Sequence, residues 1–181
     1  MSHPSLQDRV TRLDNARWHG NAFTVPRTLI VMHTNEGGTF ASSIEYLNTT
    51  TDKQASYHYG IEKDGRILRM TDSGLVAWHA GDSAWPNPIR ATPGNQRPNG
   101  GRSVNGHAFG VCWASQNGEK VTDAQIESAL WLCGFLMGLH HIPVEMVRGH
   151  EDVSPGRKSD PGAAMKMDEW RALLTNYLAT A

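Results

Sequence analysis

Apolar and polar positions along the 181-residue chain change their spacing several times, and each change predicts an element. From Arg27 to His33 the run RTLIVMH is almost continuously apolar and is closed by the turn-prone TNEGG. A run without polar alternation predicts an interior strand covered on both faces. Phe40, Ile44 and Leu47 then follow helical spacing, which predicts a short amphipathic helix. Residues 55–61 (ASYHYGI) and 66–70 (RILRM) flank Asp64 and Gly65, the turn dipeptide of a hairpin. Strict alternation there would set Tyr57, Tyr59 and Ile61 on one face and His58 on the other. Further short strands are predicted over 75–81 (LVAWHAG) and 109–114 (FGVCWA).

The second half is more helical. Thr122 followed by Gln125 reads as a capping box opening a helix over 123–140, with Ile126, Leu130, Cys133, Met137 and His140 as its inner stripe and Pro143 beyond its end. After a short extended piece through EMVRGH, a last helix starts near Asp168, expected as its cap, and turns Trp170, Leu173, Leu174 and Tyr177 inward. Residues 1–26 read as an N-terminal arm or irregular edge, and 27–181 as the folded domain proper. The proline- and glycine-rich stretch 82–108 is too long for an ordinary connection and reads as a functional insertion or a mobile loop. Strands interleaved with helices predict a single α/β domain, a central mixed sheet flanked by helices.

Composition narrows the function classes. With 17 basic and 18 acidic residues the chain has no electrostatic footprint for nucleic acid or anionic lipid. No apolar run reaches membrane-spanning length, and MSHPSLQDRV lacks the basic opening and apolar core of a signal peptide. The two cysteines, Cys112 and Cys133, sit in apolar surroundings and read as reduced, buried thiols, with a single disulfide as the alternative. The 9 histidines point towards metal or proton chemistry, and the 6 tryptophans towards a carbohydrate or peptide surface, although packing would use both.

The chemistry concentrates in RGHEDVSPGRKSDPG, 148–162. Pro155 and Pro161 exclude a helix interior, so a loop this polar needs a reason to be ordered. An imidazole at His150 and a carboxylate at Asp160 are suited to zinc, although such a pair also occurs in ordinary surface loops. His33, where an interior strand meets its loop, stands where site residues are common.

Taken together, IVMHTNEGG, SYHYGIEKDGRI, AWHAG, AFGVCW and RGHEDVSPGRKSDPG resemble the zinc-dependent N-acetylmuramoyl-L-alanine amidases, which include lysins similar to that of phage T7, anhydromuropeptide amidases and peptidoglycan recognition proteins. The resemblance runs from about residue 27 to 175. It implies an amidase-like fold, a zinc ion held by His33, His150 and Asp160, and hydrolysis of the bond between N-acetylmuramic acid and L-alanine. By the same resemblance Lys158 stabilises the oxyanion, Tyr57 matches a catalytic tyrosine of the phage T7 branch, and His79, Trp78, Trp85 and Arg157 contact substrate. Arg157 could equally be structural. The loop 82–108, with Trp85 and Arg90, would wall the groove. The implied partner is peptidoglycan or a muropeptide, met by a monomer.

One departure stands out: Cys112 occupies the position where the anhydromuropeptide branch has a glutamate, whereas the phage T7 lysin shares the GVC pattern. Cys112 and Tyr57 together tip the expectation towards a phage or prophage endolysin, a bacteriolytic enzyme released from the host cytoplasm to the wall through a holin. A cytoplasmic recycling amidase is the alternative. A peptidoglycan-binding module without catalysis also stays open, as does, more remotely, a cysteine peptidase built on Cys112.

Overall fold

A computed structural model describes residues 9–84 and 103–180. Six strands form a mixed sheet in the order β1-β5-β4-β7-β3-β8, made of β1 (Val10–Arg12), β3 (Leu29–Thr34), β4 (Tyr59–Ile61), β5 (Ile67–Arg69), β7 (Ala108–Trp113) and β8 (Val147–Gly149). Only β4 and β5, the predicted hairpin, run antiparallel; every other neighbour is parallel. A second, two-stranded sheet pairs β2 (His19–Ala22) with β6 (Leu75–Ala77). Residues expected in an arm or irregular edge thus supply β1, which extends β5, and β2. These short segments carry no alternation of their own and take their register from the strands they join.

Strand β3 is buried along its whole length, as its unbroken apolar run predicts. Its side chains part by pleat. Ile30 and Met32 join Phe109, Val111, Trp113, Tyr59 and Ile61 in the main core under α2 (Asp123–His140) and α4 (Met167–Thr180). Leu29 and Val31 face the other way, beside Ala80, Ala108 and Val153. The helix α1 (Phe40–Thr49) covers that second face further along, seating Phe40, Ile44 and Leu47 against Leu68, Met70 and Cys112. His33, two residues after Val31, therefore emerges on the second face.

Three expectations need correction. The predicted strand 55–61 begins only at Tyr59, because the His58 side chain replaces part of the backbone ladder. The Gly110 N–H donates to His58 Nδ1 while the His58 N–H donates to the Gly110 carbonyl. Alternation breaks there: Tyr59 and Ile61 face the main core, but Tyr57 packs with Phe40 on the other face.

In α2 the capping box is present, but the buried stripe is Gln125, Ala129, Leu132, Cys133, Leu136 and Met137, with Ile126 and Leu130 at its margin. This helix is apolar nearly all round, so spacing does not choose its inner face. The Gln125 amide does, donating to the Ile61 and Ala114 carbonyls at the ends of β4 and β7. In α4, Leu173 is exposed and Asp168 lies inside the first turn, bonded to Arg171, rather than capping it.

The start of the polar loop forms one helical turn, α3 (His150–Val153), before Pro155 ends it. Both cysteines are free and buried. Among the described residues no helix is long and apolar enough to cross a membrane.

Candidate metal centre

His33 is the last residue but one of β3 and His150 follows β8, and since β3 pairs with β8 in parallel, both imidazoles arrive at the same end of the sheet. Asp160 returns to them through its backbone, whose carbonyl accepts from the Glu151 N–H in α3. The result is a triangle. Nδ1 of His33, Nδ1 of His150 and Oδ2 of Asp160 lie 3.1 Å from one another on every side. His33 is fully buried and His150 nearly so. These three residues form a group able to hold a metal ion.

The far side of each imidazole shows why the triangle suits a cation. His150 Nε2 donates to the Ala80 carbonyl at 3.0 Å, so the nitrogen that an imidazole tautomer with this bond leaves as a lone pair is Nδ1. His33 Nε2 lies 3.0 Å from His79 Nδ1. Burial, followed by the nearby His150, lowers the His33 pKa to about 4, so this ring is neutral at pH 7. For Asp160 burial opposes ionisation, and a proton on the facing nitrogen of His150 or His33 outweighs it and lowers the carboxyl's pKa; a cation in the triangle takes that proton's place when both nitrogens present lone pairs. Two imidazole lone pairs and a carboxylate aimed at one point repel unless a positive charge lies between them. Metal–nitrogen bonds of about 2.0–2.1 Å are compatible with donor atoms spaced this way.

Around the triangle, Tyr57 sets its ring edge-on to His33 with centroids 5.1 Å apart. Burial, then proximity to Cys112, raises its phenol well above the ordinary value, so the hydroxyl keeps its proton. Lys158 is exposed two residues before Asp160, and its charge is felt at His33. Cys112, opposite His33 in the β3–β7 register, is fully buried, and burial pushes its thiol well up. A thiol so protonated is a poor nucleophile, against the cysteine peptidase alternative. Glu36 is exposed, with Oε1 accepting from the Thr34 hydroxyl.

The expected substrate-contact residues scatter. His79 is buried behind His33, touching the triangle from within rather than facing a groove. Trp78 lays its indole over Gly20 of β2. The Arg157 guanidinium is occupied by the Ala80 and Asp82 carbonyls and the Ser154 hydroxyl, so it straps 80–82 to the polar loop. Trp85 and Arg90 lie outside the described residues.

Two supports escaped the sequence reading. The Ala80 carbonyl accepts from both His150 and Arg157 and so orients a site ring. Glu62, buried at 4 %, accepts from the Phe40 and Ala41 N–H groups and closes the N-terminus of α1. The only sequence signal for Glu62 was an acid beside a hairpin turn.

The family profile described as N-acetylmuramoyl-L-alanine amidase matches residues 23–163. Among curated proteins, the N-acetylmuramoyl-L-alanine amidase AmiD of Escherichia coli K12 is 31% identical over 83% of this chain and 54% of its own length. The 1,6-anhydro-N-acetylmuramyl-L-alanine amidase AmpD of Enterobacter cloacae is 28% identical over 64% of this chain and 54% of its own. The chain thus spans about half the length of these curated relatives.

Among solved structures, a selenomethionine AmpD derivative superposes with a TM-score of 0.70 at 21% identity, covering 91% of this chain and 94% of that one. E. coli AmiD in complex with the substrate anhydro-N-acetylmuramic acid-L-Ala-D-gamma-Glu-L-Lys gives 0.65 at 25% identity, over 87% and 61%.

Proposed function

We propose, since the chain belongs to the N-acetylmuramoyl-L-alanine amidase family, that it is a zinc-dependent hydrolase of the amide joining N-acetylmuramic acid to L-alanine in peptidoglycan or its fragments. The observation that carries this reading is the equal-sided arrangement of Nδ1, Nδ1 and Oδ2 from His33, His150 and Asp160. Two nitrogens and one oxygen are a three-ligand set that leaves a fourth position open, the mark of catalytic rather than structural zinc. Zinc held there supplies Lewis acidity towards an amide carbonyl and acidifies water.

The other roles belong to the chain itself. A protonated Tyr57 phenol beside His33 serves as a hydrogen-bond donor that orients water or the developing oxyanion, and because it keeps its proton no phenolate is present to act as a base. Lys158 presents a cation on the exposed side of the site, where charge builds as the carbonyl is attacked. Arg157 keeps the loop in place rather than binding a substrate carboxylate.

As to the form of substrate, the AmpD relative is named for 1,6-anhydro-N-acetylmuramyl-L-alanine, and the AmiD complex contains an anhydro-muropeptide, which favours small anhydromuropeptides and a recycling role. The second reading, an endolysin acting on intact wall, is favoured by Tyr57 beside His33 with Cys112 next to it.

Purified protein should contain zinc and release new L-alanine amino termini from cell walls; zinc without release would mean a binding module. Faster cleavage of a small anhydromuropeptide than of sacculi selects the recycling role, and the reverse selects the endolysin. His150→Ala and Asp160→Ala should lose zinc and activity together. Lys158→Ala should keep zinc and lose roughly 10²-fold in turnover. Equal zinc loss in all three would make Lys158 structural.

A further inference from the structure

The geometry assigns His79 as a positioning residue that holds His33 in the tautomer able to bind a metal, and assigns Gly110 as the glycine that makes room for it. This inference rests on the metal-centre reading above.

An imidazole binds a metal only through an unprotonated nitrogen. For His33 that nitrogen is Nδ1, the atom facing His150 and Asp160, so the proton of the neutral ring must be on Nε2. A buried N–H needs an acceptor, and His33 is fully buried. The polar atom beside it is His79 Nδ1 at 3.0 Å, with the two rings edge-on at 82° and centroids 5.1 Å apart. His79 can accept only if its own proton is on Nε2, a buried atom that meets no acceptor in full hydrogen-bond geometry among the described residues but faces the Ala108 backbone. The interaction therefore fixes both tautomers.

The backbone of β7 is shaped for this ring. A side-chain carbon built on Gly110 would lie 2.5 Å from His79 Cγ and 2.7 Å from Cδ2. Nothing larger than hydrogen fits there while His79 stays. Gly110 is held in turn by His58, whose Nδ1 accepts the Gly110 N–H and whose ring lies 6.0 Å from that of His79. Glycine in the strand FGVCW and histidine in AWHAG, apart in sequence, are thus one device. Its product is a lone pair on His33 pointed into the triangle.

The test measures zinc and cobalt(II) affinity by competition with a chelator, alongside ¹⁵N NMR of the histidine rings. His79→Leu fills similar space without an acceptor. Its metal affinity should fall about 10- to 100-fold, the usual effect of losing a group that orients a metal-binding histidine. His79→Asn can place an oxygen near the Nδ1 position and should recover most of the loss. In the wild type with zinc, the ¹⁵N spectrum should show His33 and His79 both protonated at Nε2. That measurement needs no variant, so misfolding of His79→Leu leaves the inference testable.

Unchanged metal affinity in a folded His79→Leu, or His33 protonated at Nδ1 in the zinc-loaded protein, overturns the inference. Affinity as poor in His79→Asn as in His79→Leu also overturns it by making the residue mere packing. A wild-type chain that binds no zinc overturns this inference and the metal-centre reading together. One that binds zinc in the expected tautomer but cleaves no muropeptide overturns the enzymatic reading alone.

Discussion

His58 is a buried base whose protonation opposes folding. Its ring lies between Phe23, Phe109 and His79, with Nε2 facing the Leu75 carbonyl and Nδ1 accepting from Gly110. Burial lowers its pKa from 6.5 to about 4. The unfolded chain therefore gains a proton at a pH where the folded one does not. The contribution is complete above about pH 6.5, is lost as pH falls towards 4, and levels off below that, amounting to about 3 kcal/mol. Urea unfolding at pH 7 and pH 4.5 should show the wild type losing more stability than His58→Asn, whose amide oxygen can still accept from Gly110. Equal losses would assign the pH dependence to other groups. At this scale the resemblance singled out His33, His150 and Asp160, which strand end and loop position alone would have left as ordinary polar groups. The sequence hid the parts played by His79 and Arg157, because these depend on which distant atoms fold against them: His33 for one, the carbonyls of Ala80 and Asp82 for the other.

The helix α1 shows how an element is anchored by groups outside it. Its first two N–H groups donate to Glu62 on the hairpin turn, its third to the Thr39 hydroxyl, and its first side chain, Phe40, lies on Gly60 of β4. Removing the carboxylate leaves a buried N–H without an acceptor, so Glu62→Ala should cost about 2 kcal/mol, read as a lower thermal midpoint, and Glu62→Gln should cost less. A side-chain carbon on Gly60 would fall 1.9 Å from the Phe40 ring. Gly60→Ala should therefore displace α1 and cost about 3 kcal/mol, the upper part of the usual overpacking range. A neutral result would mean that Phe40 swings away at no cost. Helix bounds were readable in such elements where a cap marks them, as at Thr122 and Gln125. Rotation was not, since in α2 the choice of buried face lies with one amide reaching two carbonyls of the sheet. The strands β1 and β2 were unreadable for a related reason: three or four residues with little apolar pattern become strands only when a neighbour offers its edge.

For the molecule as a whole, a mixed sheet with helices was legible from interleaved periodicities, whereas the strand order was not, because parallel neighbours come from distant parts of the chain. Metal binding should stabilise this assembly through mass action. Zinc at 100 times its dissociation constant adds about 2.7 kcal/mol, a rise of roughly 5–10 °C in melting temperature for a domain of this size. A chelator should remove that gain, and His33→Ala should melt at one temperature with or without zinc. A melting point indifferent to zinc in the wild type would refute the coupling. The parallel alignment of β3 with β8 gives this coupling a direction in time. His33 is made first of the three, and its two companions follow it by 117 and 127 residues. A ribosome must therefore add a further 127 residues after His33 before an ion has three places to hold, and a protease cut that frees the segment after Pro143 disarms the centre at once.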